Sequence, residues 1–242
     1  MGFAGGNNIA LRHVLCDGLE YAWLLNNDTE VDTAALRELL AVSEKNPAVG
    51  MISSKIYYFG TPVLWYAGAE INPWTGRARA RGKNQKDTGE YDTACQTGYA
   101  TGCSLLVRSK VIRMIGMMRQ DYFLYYEETD WNIRAQNSGW QSWYAPKSVV
   151  FHKVGQSLRT ASNNPPVLVY YNIRNRFVMI QRIGSPLQRI SSAIYLHYQL
   201  LSQFRMILNR DYQRLTAFRY LFLGFWDSLF RRMGKAPVIG KR

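Results

Sequence analysis

The feature that most constrains the fold is an alternation of short apolar runs with helical segments. Residues 21–26 form one such run, which ends abruptly in polar side chains, so they are predicted to be a buried strand. A helix is predicted to follow over 34–46, because Asp32 or Thr33 can cap its start. A second strand is predicted over 49–58. Strands that alternate with helices are typical of an α/β sheet domain.

The alternation continues to about residue 164. Residues 59–99 are less regular, and they contain short aromatic strands and the basic segment GRARARGK at 76–83. Glycines close two further predicted helices, because glycine readily takes the left-handed conformation that ends a helix. These later elements are a strand at 102–109, a helix from Ser109 to Gly116, a helix from Thr129 to Ser138 and a strand at 143–153.

The last third of the chain has a different character. Residues 165–242 carry 13 Lys/Arg against 2 Asp/Glu and are predicted to form helices with broad apolar faces. The longest run without charge has 15 residues, 190–204, and at ~1.5 Å per residue it is too short for a ~30 Å hydrocarbon core. Two interpretations remain: helices that lie in a membrane interface, which we favour, or helices that pack on the sheet domain with their arginines in water. We therefore divide the chain into a domain over 1–164 and a basic helical region over 165–242.

Other features exclude several classes of protein. The three cysteines, Cys16, Cys95 and Cys103, form no paired CxxC, so neither a disulfide framework nor a zinc cluster is predicted, and a reducing compartment fits best. The start MGFAGGNN has no basic and apolar regions of a signal peptide. Net charge alone suggests nucleic acid as a partner, but arginines that interleave with a continuous apolar face argue against it.

Three polar residues follow the first predicted strand. Asn26, Asn27 and Asp28 stand at the carboxyl end of that strand, where open α/β sheets bind their ligands. Asp28 could hold a divalent cation through one carboxylate oxygen, and the asparagine amides could serve ribose hydroxyls. The alternative is a turn, since Asn and Asp are common turn residues.

A cluster of carboxylates marks the second candidate site. Glu127, Glu128 and Asp130 lie within four residues, next to a predicted helix start and between aromatic segments. Carboxylates in apolar surroundings tend to have raised pKa values, which suits a general base. The alternative is a solvated cluster that caps the helix, because the helix dipole favours acids there.

Two weaker signals complete the set of candidates. His152 ends the last predicted strand, and as a metal ligand it would have to be neutral, although a lone histidine is more often structural. Gly5, Gly6 and Asn7 belong to the block GFAGGNN, whose glycines would let the backbone approach a ligand. A flexible N-terminus is the alternative for that block.

Taken in order, these blocks resemble the family 2 glycosyltransferases of the GT-A fold, in particular the bacterial rhamnosyltransferase-like branch. The resemblance covers residues 2 to about 180 nearly without a gap. The blocks that carry it are GFAGGNN, YAWLLNNDTEV, TGCSLLVRSKVIRMIG, YFLYYEETDWNIRAQNSGW, YAPKSVVFHKVGQS and YYNIRNR. It implies a Rossmann-like α/β sheet for a nucleotide-diphospho-sugar, followed by amphipathic C-terminal helices.

The resemblance also implies a donor and metal site. NND occupies the place of the family's DxD-type motif, so Asp28 would bind Mg²⁺ or Mn²⁺ and His152 would complete the metal site. The remaining donor-binding residues implied by the resemblance are Gly5, Gly6, Asn7, Asn26, Asn27, Gly102 and Arg174.

The same resemblance implies the catalytic group. Glu128 would be the general base and Glu127 would shape the acceptor site. Glu128 would take a proton from an acceptor hydroxyl as that oxygen attacks the anomeric carbon, which inverts the configuration in one displacement. Most members have aspartate at the base position, so the role could instead shift to Asp130.

The expected function is that of an inverting, metal-dependent glycosyltransferase. It would move a sugar, with rhamnose as one candidate, to a polysaccharide or a lipid-linked oligosaccharide at the inner face of the cell membrane. Its expected partners are a nucleotide-sugar donor, that acceptor and an anionic membrane surface. Family members normally carry a longer segment before GFAGGNN, so the sheet is expected to be truncated at its N-terminus. A catalytically inactive remnant that acts as a membrane-associated binding module is the alternative.

Overall fold

The computed structural model describes residues 1–153, 165–209 and 213–239. These ranges form a mixed α/β structure with helices on both sides of a central sheet, and the predicted α/β class is confirmed. The predicted boundary at residue 164 lies outside the described residues, as do residues 154–157 of the block YAPKSVVFHKVGQS. In chain order the elements are α1 (Phe3–Cys16), β1 (Tyr21–Leu25), β2 (Thr29–Val31), α2 (Ala35–Lys45), β3 (Val49–Tyr58), β4 (Leu64–Tyr66), β5 (Ala69–Ile71), β6 (Ala78–Ala80), β7 (Cys95–Gln96), β8 (Ser104–Arg108), α3 (Ser109–Ile115), α4 (Glu127–Asn137), β9 (Gln141–His152), α5 (Val167–Ile183), α6 (Pro186–Leu208) and α7 (Arg214–Leu229).

The main sheet has the strand order β1-β8-β3-β9-β2, with β4 added beside β3 and β7 beside β9. Strands β1 and β3 both run antiparallel to β8, and β3 runs parallel to β9. The carboxyl ends of β1, β3 and β9 therefore point the same way. Strands β5 and β6 form a separate hairpin, called the basic hairpin below because it carries the segment 76–83.

Alternating side chains bury both faces of the sheet. Met51 and Leu105 pack with α1, α3 and α4 on one face, whereas Ile52 and Leu106 pack with Leu39 of α2 on the other. This alternation follows from the two-residue period of a strand. Each fully buried side chain of this size contributes about 1.5–3 kcal/mol to folding.

Three local predictions differ from the structure. Helix α4 begins at Glu127, two residues earlier than predicted, so the acids lie inside its first turn. Ser109 does not cap α3, because its hydroxyl donates a hydrogen bond to the carbonyl of Leu19. The glycine-rich start, predicted as a ligand-approaching or flexible segment, is helical from Phe3 onwards.

The last third forms a helical layer beside the sheet domain. Helix α5 contacts α4, and both α6 and α7 pack on α5. A capping box starts α6, where Ser185 and Gln188 exchange hydrogen bonds between side chain and backbone. Among the described helices, none has the length and apolar character needed to cross a membrane.

Candidate active site

The carboxyl ends of β1 and β9 bring the two predicted metal ligands together. Thr29 pairs with His152 across the β2–β9 ladder, and the amide of Lys153 donates to the carbonyl of Asp28 at 2.8 Å. As a result, Nε2 of His152 lies 3.1 Å from Oδ1 of Asp28. Residues that are 124 positions apart in the sequence thus meet at the predicted place.

The surroundings of His152 favour its neutral form. Burial lowers the pKa of His152, and this effect exceeds the opposing attraction of the Asp28 carboxylate. The ring packs edge-on against Trp65 with centroids 4.8 Å apart, and Nδ1 is buried without a hydrogen-bond partner among the residues that the structure describes. A neutral imidazole is the form that can ligate a metal ion.

These two side chains could supply part of a metal site. A carboxylate oxygen and a neutral imidazole nitrogen at this spacing suit a divalent cation such as Mn²⁺ or Mg²⁺. Within the described part of the chain there is no group of three or more His, Cys, Asp or Glu that could hold a metal ion. The donor set therefore fits a cation whose other ligands come from phosphate oxygens and water.

The two asparagines before Asp28 differ in exposure. The amide N–H of Asn26 donates to the carbonyl of Cys103, and its carbonyl accepts from the hydroxyl of Thr29 at 2.6 Å. Asn26 is half-buried and Asn27 is exposed. Over the described ranges, neither side-chain amide makes a hydrogen bond within the protein, so both remain available for a ligand.

The turn at residues 101–103 joins the metal-ligand end of the site to the acid pair. Cys103 binds the backbone of Asn26, as described above, and burial together with the charge of Asp28 raises the pKa of its thiol. A methyl group at Gly102 would lie 2.7 Å from the Phe3 ring and 3.7 Å from Cγ of Glu128. Glycine is therefore needed at 102 for this close approach, and Asp28 and Glu128 lie on either side of one short turn.

The acid pair consists of a buried and a more accessible glutamate. Glu127 is 1% exposed, and burial followed by repulsion from Glu128 raises its pKa to about 8. One of its carboxyl oxygens, Oε1, is buried and has no hydrogen-bond partner in the described part of the chain. Glu128 keeps some exposed surface, and burial also raises its pKa, against the opposing effect of backbone N–H groups at the helix start. The two carboxyls therefore differ in exposure, and burial raises the pKa of both, which is the setting in which adjacent carboxyls can take different protonation states.

The loop before these acids has a strained backbone. Phe123, Tyr125 and Tyr126 have φ angles of 69°, 66° and 75°, in the left-handed region that non-glycine residues rarely adopt. Such conformations cost about 1–3 kcal/mol each and persist only where the surrounding structure enforces them. Here these left-handed conformations orient the first turn of α4 towards the turn that contains Gly102.

Two buried residues of α5 hold this loop in place. The amide of Asn175 donates to the carbonyls of Tyr122, Leu124 and Tyr125 at 2.8–3.1 Å. Arg174 donates to the carbonyl of Tyr122 at 2.9 Å. The block YYNIRNR therefore supports the acid pair from behind, a role that sequence reasoning left undefined for Asn175.

Arg174 does not lie where a donor ligand was expected. Its guanidinium is fully buried, and its remaining bonds go to Asn175 Oδ1, the Tyr170 hydroxyl and the carbonyl of Gly234. A guanidinium enclosed in this way has no exposed surface through which to contact a nucleotide sugar. The structure thus corrects the expected donor contact of Arg174 to a positioning contact.

The Asp130 carboxylate also makes its hydrogen bonds to groups of the protein. It is fully buried, accepts a hydrogen bond from Nε of Arg134 at 2.7 Å and another from the Tyr122 hydroxyl at 3.2 Å. Arg119 lies 3.6 Å from the same carboxylate. Since Asp130 is paired and enclosed, the alternative in which it replaces Glu128 as base is corrected to a structural role.

The glycine-rich start lies beside the acid loop. The amide of Phe3 donates to the carbonyl of Phe123 at 3.2 Å, and a methyl group at Gly2 would collide with that carbonyl. Gly5 is buried, Gly6 is exposed with open space beside it, and the Asn7 amide donates to the carbonyl of Phe3. Donor binding by Gly5, Gly6 and Asn7 stays a prediction.

Comparisons with known proteins agree with the resemblance seen in the sequence blocks. No protein-family model matches the chain. It is 23% identical over 192 residues to the dTDP-rhamnosyl transferase RfbF of Shigella flexneri, with 77% of this chain and 62% of that protein covered. It is 25% identical over 199 residues to the low-salt glycan biosynthesis hexosyltransferase Agl10 of Haloferax volcanii, with coverages of 76% and 58%. The chain thus spans about three fifths of the length of these relatives.

A solved structure extends the agreement to the fold. GalNAc-T7, crystallised with UDP, GalNAc and Mn²⁺, superposes with a TM-score of 0.53 at 10% identity, covering 96% of this chain and 43% of that protein. The predicted GT-A glycosyltransferase fold is confirmed by this likeness.

Proposed function

We propose that the chain carries the catalytic site of a glycosyltransferase of the hexosyltransferase type. It would move a sugar, with rhamnose as the first candidate because of the relative RfbF, from a nucleoside diphosphate to an acceptor hydroxyl. The observation that carries this proposal is the turn at Gly102 and Cys103, which lies beside Glu128 on one side and is hydrogen-bonded to the backbone of Asn26 on the other.

The chemistry assigned to the acids follows from their difference in exposure. Glu128, which is accessible beside Gly102, accepts the proton of the acceptor hydroxyl as its oxygen attacks the anomeric carbon. General base assistance of this kind contributes about 10²–10⁴ in rate. Glu127, whose pKa is raised by burial and by repulsion from Glu128, would shape the acceptor site from beside the base. A single displacement of this kind inverts the anomeric configuration.

Asp28 and His152 would hold the cation of the donor complex. Bound there, Mn²⁺ or Mg²⁺ would supply positive charge for the leaving nucleoside diphosphate. Asn26 and Asn27, whose side-chain amides are unused by the described protein, would hydrogen-bond the ribose or a phosphate. GalNAc-T7, which shares the fold, was solved with UDP and Mn²⁺, and this supports a divalent cation here.

We place the reaction at the inner face of a cell membrane, with a glycan or a lipid-linked oligosaccharide as acceptor. Support comes from α6 and α7, which expose large apolar side chains on the faces turned away from α5. On α6 these include Ile190 at 60%, Ile194 at 69% and Leu201 at 63% exposure. The excess of Lys/Arg over Asp/Glu in residues 165–242 would favour binding to a membrane surface that contains anionic lipid.

A catalytically inactive binding module remains the second candidate. The observation that favours it is the small set of metal-ligating side chains, because the described part of the chain has no group of three or more His, Cys, Asp or Glu that could hold a metal ion. The two candidates differ in turnover, whereas both allow binding of a nucleotide.

Transfer or hydrolysis of radiolabelled nucleotide sugars tests the proposal. We expect turnover with at least one donor in the presence of Mn²⁺, and a loss of about 10² or more in Asp28→Ala and Glu128→Gln. Asp17→Ala and Glu90→Gln remove exposed acids outside the site and should leave the rate unchanged. Turnover that survives both site substitutions would refute the site assignment, and absence of turnover with bound donor would favour the inactive module.

A further inference from the structure

The basic segment at 76–83 has no role in the reaction described so far, and its cations are not used alike. Arg81 donates to the carbonyl of Ala67 and to Sγ of Cys95. Lys83 lies over the ring of Trp65, 5.9 Å from its centroid. Arg77 and Arg79, in contrast, are exposed and make no side-chain hydrogen bond or ion pair to any residue that the structure describes.

These two arginines face a shared cavity. The cavity has a volume of about 500 Å³ and lies between the basic hairpin and α6. We call it the hairpin groove, and its lining residues are Glu70, Ile71, Asn72, Thr75, Arg77, Arg79 and Tyr195. A second cavity of about 580 Å³ shares Glu70 and Arg79 with it and reaches Tyr99. The two cavities are therefore neighbours on either side of Glu70 and Arg79.

The hairpin that carries these arginines is firmly anchored. Its turn is closed by the amide of Gly76, which donates to the carbonyl of Asn72 at 2.8 Å. A methyl group at Gly76 would lie 3.0 Å from Cγ of Arg176, so the turn rests directly on α5. The two arginines are consequently presented on a fixed backbone, which lowers the entropic cost of binding a ligand between them.

The same hairpin is hydrogen-bonded to the segment that leads into the 101–103 turn. The amide of Gly98 donates to the carbonyl of Ala69 at 2.7 Å. Two residues further on, the backbone of Ala100 exchanges two hydrogen bonds with Asn132 of α4, the helix that begins with the acid pair. The hairpin groove, the 101–103 turn and Glu128 thus belong to one connected unit.

We propose that the hairpin groove binds a phosphate or diphosphate group through Arg77 and Arg79. Guanidinium groups pair with phosphate oxygens in a bidentate manner, and two of them at one cavity give both charge and geometry. The Glu70 carboxylate lines the same groove and opposes an anion, so it sets a limit on the affinity. This inference rests on the proposed function only in assigning the phosphate to the acceptor rather than the donor.

Two sources could present such a group. Tyr195 of α6 lines the groove, and its neighbours Ile194 and Tyr198 are 69% and 63% exposed on the apolar side of that helix. A phosphate attached to a lipid could therefore enter the groove while its hydrocarbon lies against α6. A soluble phosphate compound would use the same two arginines without the apolar contact.

Binding of three probes to the full chain, in neutral detergent, tests the inference. The probes are farnesyl diphosphate, farnesol and inorganic pyrophosphate, measured by calorimetry or fluorescence. We expect farnesyl diphosphate to bind and its Kd to rise at least tenfold in Arg77→Ala/Arg79→Ala. Glu70→Gln should lower the Kd by about two- to threefold, an opposite change that a purely structural role of the hairpin would not produce.

The matched control is Arg12→Ala/Arg37→Ala, which removes two exposed arginines outside the groove and should leave the Kd unchanged. Tighter binding of farnesyl diphosphate than of pyrophosphate would assign the group to a lipid, and equal binding would assign it to a soluble phosphate. Equal loss in the control pair, or binding of farnesol as tight as that of its diphosphate, would overturn the inference.

A further measurement, of nucleoside diphosphate binding, separates this inference from the proposed function. Nucleoside diphosphate binding with Mn²⁺ should be unchanged in Arg77→Ala/Arg79→Ala and lost in Asp28→Ala. If the arginine pair is needed for the nucleotide as much as for the lipid diphosphate, the groove belongs to the donor and the inference is wrong. Because no arm of the experiment requires sugar transfer, an inactive chain could still bind at the groove.

Discussion

At the scale of single residues, the site depends on two adjacent glutamates with different surroundings. Both acids could be picked out from the sequence, because three carboxylates between aromatic segments are unusual. Which of them is buried could not be predicted, since that depends on the start of α4 and on the strained backbone at Tyr125 and Tyr126. The structure assigns the buried position to Glu127 and the accessible one to Glu128.

The raised pKa of Glu127 has a consequence for stability. Its pKa is about 8 in the folded protein and 4.5 for the ordinary side chain, so the folded state binds more protons between these values. The free energy of unfolding should therefore fall as pH rises from about 5 to 8, by on the order of 1 kcal/mol per pH unit from this group. In Glu127→Gln that slope should be smaller, and the part that remains comes from the raised pKa of Glu128.

Denaturant unfolding at pH 5.5 and 8.5 measures this effect. The wild-type protein should lose more stability between the two pH values than Glu127→Gln does. Glu90→Gln, at an exposed acid, should behave like the wild type. An identical pH dependence in wild type and Glu127→Gln would show that Glu127 is ionised in the folded protein at neutral pH.

At the scale of elements, the acid loop and α5 form one supporting unit. Asn175 alone donates hydrogen bonds to three carbonyls of the loop. Arg174, on the same helix, donates a fourth hydrogen bond to this loop. Leaving such buried carbonyls without partners costs about 1–3 kcal/mol each, so this pair stabilises a backbone that would otherwise relax. Helix α5 therefore supports the acid loop of the sheet domain, and the division of the chain near residue 164 stays a prediction.

Helices α6 and α7 are apolar on two opposite faces. Leu196 and Leu221 pack inward, whereas Ile194, Leu201 and Trp226 point outward with exposures of 69%, 63% and 54%. The helices therefore pack on α5 and also present apolar surface, and their binding to a membrane stays a prediction. An outward apolar face in a basic region favours shallow insertion into anionic lipid.

Vesicle flotation measures this membrane binding. We expect the chain to float with phosphatidylglycerol-containing vesicles, less so at high salt, because screening weakens the attraction to anionic lipid. Ile194→Asp/Leu201→Asp should reduce binding at least tenfold. Leu36→Asp, on α2 and 42% exposed, is the matched control and should bind normally. Equal flotation of the double variant and the wild type would contradict the membrane role.

At the scale of the whole molecule, sequence reasoning succeeded where local patterns decide structure. Strands such as β3 and β8, and the glycine that ends α3, follow from periodicity and turn chemistry. The meeting of Asp28 with His152 was expected only through the family resemblance, because strand order is a property of the complete sheet. The enclosure of Arg174 and Asp130 could not be foreseen, since it depends on side chains from several distant elements.

The meeting of Asp28, in the turn between β1 and β2, with His152 at the end of β9 leads to a last prediction about metal binding. Two protein ligands hold a divalent cation weakly, and a nucleoside diphosphate would add the missing oxygens. Mn²⁺ and nucleoside diphosphate together should therefore raise the Tm by more than the sum of their separate effects, because each increases the affinity of the other. Mn²⁺ should act at lower concentration than Mg²⁺, since an imidazole ligand favours the transition metal.

Thermal unfolding with each addition, alone and combined, measures this linkage. His152→Ala and Asp28→Ala should reduce the combined shift to the sum of the separate shifts, and His13→Ala, at an exposed histidine of α1, should keep the full effect. Additive shifts in the wild-type protein would mean that the cation and the diphosphate do not share a site. The ends of β1 and β9 would then have to be assigned another role.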